Sequence, residues 1–211
     1  HLSYYLVAWI LWLHRLFLGP TTALAAWLAG LTAEEQVSWL WIRLWSAVCG
    51  VLTTLAVFGM ARRIVRGPAA EASPRAQTAG FLAAGLITVA TLYNEVSHIY
   101  ISDVPAAFFA TVCLYFVARL AGRESARDYV LAGVASGLAA ACKYPAGVVV
   151  VAIAGVWLGW RWRERNWNHG LLLAAAAALG TLLLAMPALV VHLGDAFAGQ
   201  GRDVFFGLRQ Y

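Results

Sequence analysis

Long apolar runs alternate with short polar interruptions along the whole chain. Leu2 to Leu18 is apolar, carries His14 and Arg15 near its end, and is closed by Gly19-Pro20. Thr21 to Gly30 is apolar but too short to cross a bilayer. Thr32-Ala33-Glu34-Glu35 is a helix-start pattern, a hydroxyl cap with an acid three residues on. Trp39 to Met60, Thr78 to Tyr93, Val104 to Leu120 and Gly170 to Val191 each read as a span, and Pro105 suits a first helical turn. Tyr129 to Trp160 is too long for one span. Cys142-Lys143-Tyr144-Pro145 interrupts it, and proline removes a helical hydrogen bond and clashes with the preceding turn, so a turn or break is predicted there. Leu193 to Tyr211 is a polar, glycine-containing tail. A hydrocarbon core of about 30 Å takes about 20 apolar residues per helix, so the pattern predicts an all-α, polytopic transmembrane bundle of about six membrane helices. No internal repeat is visible. The Gly133–Gly137 step and the run Ala174 to Ala178 predict close helix packing.

Composition agrees with the pattern. Of 211 residues, 62% are hydrophobic and 12% charged, with a mean hydropathy of +0.73. A soluble domain is about half apolar and about a quarter charged. A cytosolic globular enzyme, a disordered chain and a nucleic-acid-binding domain are thereby excluded. The pI of 9.4 does not restore the last, because basic residues in a membrane protein report orientation first. Cys49, Cys113 and Cys142 lie in apolar stretches without metal-ligand spacing, and read as small lipid- or helix-facing residues, not a disulfide framework. The chain opens at His1 with no charged leader region or small-residue cleavage site, so it is not a signal peptide and is expected to be a piece of a longer protein.

Charge then orients the bundle. The loops Ala61 to Gln77, Ala121 to Asp128 and Arg161 to His169, with the adjoining Arg119, hold ten arginines against four acids, a net of +6. The remaining positions hold five basic and six acidic residues, a net of −1. This asymmetry predicts that the three basic loops face the cytoplasm. Trp39, Trp41 and Trp45, and Trp157, Trp160, Trp162 and Trp167, read as interfacial anchors, with sugar stacking as the open alternative.

Ionisable groups held near membrane depth are expensive, and their default reading is functional. The segment Asn94 to Asp103 gathers Glu95, Ser97, His98, Tyr100, Ser102 and Asp103 on the predicted outer face. Asp103 precedes Val104-Pro105, so it is either a capping carboxylate or a site residue. His98 is either a solvated loop histidine or part of the same site. Lys143, the only lysine, could anchor to headgroups or meet a phosphate as a point charge, and Arg43 carries the same ambiguity. There is no P-loop, GxGxxG, HExxH or CxxC pair, so neither nucleotide-fed nor metal-peptidase chemistry is indicated. A lysine for phosphate, outer-face carboxylates and a membrane body together suggest a substrate that is itself a lipid phosphate.

Four blocks carry a resemblance. "HLSYYLVAWILWLHRLF", "IRLWSAVCGVLTTLAVFGMARRIVRG", "YNEVSHIYISDVPAAFFATVCLYFVARL" and "YVLAGVASGLAAACKYPAGVVVV" occur in that order from His1 to about Trp160. They resemble the integral-membrane glycosyltransferases of the GT-C class. The closest group is the dolichyl-phosphate-mannose protein mannosyltransferase-like family, with bacterial relatives of the RgtA/B/C/D and aminoarabinose-transferase kind. The resemblance implies a single transmembrane domain over residues 1–211, incomplete at its N-terminus, with a family-like core over 1–160. Leu2 to Gly30 would then be an outer-face interfacial helix; its length and parity permit a span equally. The family's opening block reads His-Pro-Pro-Leu-Tyr-Tyr, echoed here by His1, Leu2, Tyr4 and Tyr5. The catalytic base, a carboxylate in the first outer loop of the family, is expected upstream of His1.

The implied reaction moves one sugar from a polyprenyl-phosphate donor to an acceptor hydroxyl of a lipid, glycan or protein at the outer face of the cell's inner or plasma membrane. Asp103 and His98 are the catalytic candidates by this resemblance, with His98 where many relatives carry an Arg. Lys143-Tyr144 matches the family's Lys-Tyr step near the donor phosphate, and Arg43 and Glu95 complete the substrate-binding candidates. No metal ligand is assigned and no cofactor is required by a motif; a divalent metal is left open. The expected partners are the lipid-linked donor and membrane lipids, not nucleic acid. The alternative is a transporter or flippase fragment, which also uses broken helices but predicts inverted repeats and charges at mid-bilayer.

Overall fold

The computed structural model describes residues 34–66, 74–90, 102–164 and 168–186. Leu2 to Gly30 and the tail after Val191, for which a helix and a polar segment are expected, lie outside the described residues. So do His98 and Glu95.

Among the described residues the chain is built from α-helices and one short 3-10 helix, with no strand. The helices are α1 (Glu34–Arg66), α2 (Pro74–Val89), α3 (Asp103–Gly122), α4 (Ala126–Cys142), α5 (Val150–Glu164) and α6 (Gly170–Ala185). The 3-10 helix, Tyr144–Val149, leads into α5. Six α-helices match the expected bundle. The span predicted over Trp39 to Met60 is longer than its apolar core. α1 begins beside the predicted start signal and continues through Arg62 and Arg63, because the alanine and arginine after Met60 are good helix formers. Gly67-Pro68 follow its last residue. α2 opens on Pro74, whose missing N–H costs nothing in a first turn. α6 stops at Ala185, one residue before Met186 and the helix-incompatible Pro187.

The break predicted inside Tyr129 to Trp160 is present. Lys143 takes extended backbone angles (φ −154°, ψ 116°), its N–H closes the last turn of α4 on Ala139 O at 2.9 Å, and its own carbonyl accepts from Ala146 N at 2.9 Å. Pro145 then sits in the first turn of the 3-10 helix.

Glycines record how the helices pack. A Cβ at Gly80 of α2 would meet Phe58 and Arg62 of α1, and one at Gly59 of α1 would lie 3.2 Å from the Tyr115 ring of α3. A Cβ at Gly133 of α4 would lie 2.9 Å from Ala174 Cα of α6, and one at Gly137 3.2 Å from the carbonyl carbon of Ala178. Tyr129 lies against Gly170 in the same way. These three pairs step along both helices together, so α4 and α6 run parallel with their small-residue faces in contact, as the Gly133–Gly137 step predicts. A core of Cys113, Val117, Leu120, Tyr129, Ala132, Ala135, Ile153 and Ala174 joins α3, α4, α5 and α6.

The outside of the bundle is apolar. Phe81, Leu86, Val89, Val151 and Leu184 are all more than three-fifths exposed, a surface suited to lipid and not to water. The segments Arg43–Val65, Asp103–Gly122 and Tyr144–Arg163 are long and apolar enough to cross a membrane, and Gly170–Ala185 is a shorter apolar helix. Hydroxyls fold back onto their own helices, Thr53 donating to Cys49 O at 2.7 Å and Thr111 to Ala107 O at 2.8 Å. That satisfies them without water. The three cysteines are free and buried, as their sequence setting predicts.

Candidate functional site

Chain direction separates two ends of the bundle. α3 starts at one end with Asp103 and reaches the other with Arg119, and α4 returns to finish at Lys143. Arg43 lies at the Lys143 end of α1: Cys49 of α1 neighbours Cys142, beside Lys143, and Gly59, ten residues on, packs against Tyr115 in the second half of α3, so α1 runs parallel to α3. Arg62 and Arg63 of α1, Arg75 of α2, Arg123 and Arg127 around the α3–α4 turn, and Arg161 and Arg163 of α5 all fall at the opposite end. Neutralising so many cations in hydrocarbon would be prohibitive, so the distribution fits helices whose arginine-rich ends reach water together.

At the Lys143 end the structure joins two residues singled out separately in the sequence. Lys143 Nζ donates to Asp103 Oδ1 in an ion pair across forty residues of chain. Both side chains are about half-buried, 46% and 43% exposed. Asp103 stands in the first turn of α3 behind Ser102, and Ser102 makes no side-chain cap bond. The carboxylate of Asp103 accepts from Lys143, and its charge also opposes the positive end of the α3 dipole. Tyr144 follows Lys143 and is half-buried. Arg43 is exposed on α1, and among the described residues nothing joins it to the pair. Ser46, one turn further along α1, is fully buried with no hydrogen-bond partner for its Oγ. No sequence signal distinguishes it from Thr53, which bonds its own helix. Among the described residues no group of three or more His, Cys, Asp or Glu is placed to hold a metal ion.

The arginine-rich end holds a second network, which the sequence did not signal. Arg119 Nη2 lies 3.2 Å from Asp128 Oδ1, and its Nε donates to Oδ2 at 3.3 Å. Tyr129 Oη donates to Glu124 Oε1 at 3.2 Å, and Asn168 Nδ2 donates to the same oxygen. Trp160 Nε1 donates to Leu120 O at 2.8 Å and Trp157 Nε1 to Asn168 Oδ1 at 2.9 Å. Of the expected interfacial tryptophans, Trp160 thus turns its N–H onto the C-terminal end of α3 and Trp157 onto the Asn168 side chain ahead of α6. Buried indole nitrogens need a partner, and a free terminal carbonyl supplies one. Trp162, at 81% exposure, keeps the surface position of an anchor. Arg161, buried, stacks its guanidinium 4.8 Å from the Trp157 ring centre.

The family model of dolichyl-phosphate-mannose-protein mannosyltransferases matches residues 20–191. The chain belongs to this family. It is a membrane glycosyltransferase of the GT-C type, as the four sequence blocks and the all-helical bundle indicate. The family match spans every described helix, including both ends of the Asp103–Lys143 pair. No curated protein and no solved structure matches the chain.

Proposed function

We propose that this glycosyltransferase takes its sugar from a polyprenyl-phosphate donor at the non-cytoplasmic face of the membrane, with Lys143 meeting the donor phosphate. The observation that carries the reading is the Asp103–Lys143 pair at the end of the bundle opposite the arginine-rich one. The positive-inside asymmetry supports a cytoplasmic arginine-rich end, which leaves the pair on the other face. Residues 1–211 are read as one such transmembrane domain.

The chemistry is a displacement at the anomeric carbon. The acceptor oxygen bonds to that carbon while the bond from it to the donor phosphate oxygen breaks. The leaving phosphate takes the electron pair, and the acceptor hydroxyl proton passes to a carboxylate base. That base is taken to be the carboxylate of the family's first outer loop. A cation fixed beside the departing phosphate stabilises the charge that develops there. Lys143 suits this role because it sits at a helix break, half-buried and already engaged by an anionic oxygen. Asp103 holds the ammonium in place and supports the base or the acceptor hydroxyls. Tyr144, Arg43, Glu95 and His98 are proposed to line the same site, the last two from sequence alone.

The test is sugar transfer by the full-length protein, offered a polyprenyl-phosphate sugar or the matching nucleotide sugar, with and without divalent metal. Transfer from the lipid-linked donor is expected. Transfer from the nucleotide sugar alone would overturn the donor assignment, and movement of the intact donor across the membrane without transfer would favour a flippase.

A further inference from the structure

Arg119 Nε donates one hydrogen bond to Asp128 Oδ2 at 3.3 Å and its Nη2 comes within 3.2 Å of Oδ1, which accepts no hydrogen bond; Asp128 is 1% exposed and the Arg119 side chain 28%. A buried carboxylate is a costly way to hold two helices together, since apolar side chains of similar volume often serve stability as well or better. One attested use of a buried charged pair is to fix register.

Register needs specifying in α4. Toward the core this helix offers Ala132 and Ala135 beside Tyr129, and toward α6 it offers Gly133 and Gly137. Small residues let backbones approach closely and leave few long side chains on that face to interdigitate. α4 contains no proline from Ala126 to Cys142 and ends directly on Lys143. A slip of one residue would move Lys143 about 1.5 Å along the axis and turn it about 100°.

The spacing matches. Asp103 and Arg119 are sixteen residues apart on α3, and Asp128 and Lys143 are fifteen apart along α4, spans of about 24 and 22 Å at helical rise. The two ion pairs are therefore rungs at the two ends of one antiparallel helix pair. The Lys143 rung is half-exposed, and such pairs are weak and screened by solvent. The buried rung is the one able to fix position.

We infer that the Arg119–Asp128 pair is a register lock that places Lys143 for the donor phosphate from the far end of the bundle. Arg119 and Asp128 are then positioning residues, and the inference rests on the reading of Lys143 given above. The test is steady-state transfer by the full-length enzyme carrying Asp128→Asn, Arg119→Lys, or the charge swap Arg119→Asp with Asp128→Arg. Loss of correctly folded enzyme lowers the maximal rate and leaves both KM values alone. A lost register instead raises donor KM with acceptor KM unchanged, by about 10- to 100-fold for a displacement of this size. Arg119→Lys keeps the charge without the Nε–H that donates to Oδ2, and its donor KM should fall between those of the native enzyme and Asp128→Asn. The charge swap should bring donor KM back toward the native value. Folded variants with unaltered donor KM, or a folded charge swap with no recovery, would reduce the pair to a structural staple. Lys143→Met run alongside separates the two claims: if it leaves donor KM unchanged, the phosphate reading fails, whatever Asp128 does.

Discussion

The ammonium of Lys143, at the end of α4, is ion-paired with the carboxylate of Asp103, in the first turn of α3. The contact closes the helix pair at the end opposite the arginine-rich one. It also leaves both groups half-exposed, within reach of a ligand at the bilayer surface.

Asp103→Asn removes the charge and keeps a side chain of the same shape. A half-exposed pair contributes about 0–1 kcal/mol to stability. The variant should therefore express and melt much as the native protein does, while sugar transfer falls steeply. Measured on full-length enzyme at matched expression, near-native transfer would make Asp103 a structural partner of Lys143 only.

Sidedness follows from the arginine distribution. The native cysteines are at most 1% exposed, so they give little labelling background. A membrane-impermeant maleimide applied to intact cells should label Ser97→Cys and miss Ala126→Cys, which is exposed at the start of α4. The reverse pattern would move the Asp103–Lys143 pair to the cytoplasmic face and end the outer-face account.

Helix packing offers a prediction independent of chemistry. A side chain at Gly133 would press on the backbone of Ala174, which cannot swing aside as a flexible side chain would. Gly133→Leu should cost about 1–3 kcal/mol, the usual range for overpacking, or more. Gly85→Ala meets nothing within 4 Å and should gain about 0.5–1 kcal/mol from the better helix former. Thermal unfolding in detergent distinguishes them, and equal melting temperatures would contradict the α4–α6 contact.

Much of this was legible in the sequence, for physical reasons that differ by element. Apolar run length fixed the helices, because every backbone group in lipid must bond within its own segment. Pro145 announced the break after α4, and Gly133 and Gly137 announced the α4–α6 face. Asp103 and Lys143 stood out one at a time, since a charge near membrane depth is costly. Their pairing was not legible, because it depends on α3 and α4 being antiparallel neighbours with matched lengths. In the sequence Arg119, Asp128 and Glu124 read as loop charge, and Trp157 and Trp160 as interfacial anchors. Nothing in their spacing separates a solvated residue from one turned inward.

The most direct measurement of the central claim is the donor dependence of sugar transfer in Lys143→Met and Lys143→Arg full-length enzyme. Methionine keeps the apolar stem that packs at the membrane surface and removes the ammonium. A charge-assisted contact to phosphate is worth about 1.5–3 kcal/mol, so donor KM in the Met variant should rise about 10- to 150-fold. The Arg variant, with the charge in a different shape, should fall between Met and native. An unchanged donor KM in Lys143→Met would contradict the account, leaving Lys143 as a headgroup anchor and the donor phosphate to another cation, Arg43 first.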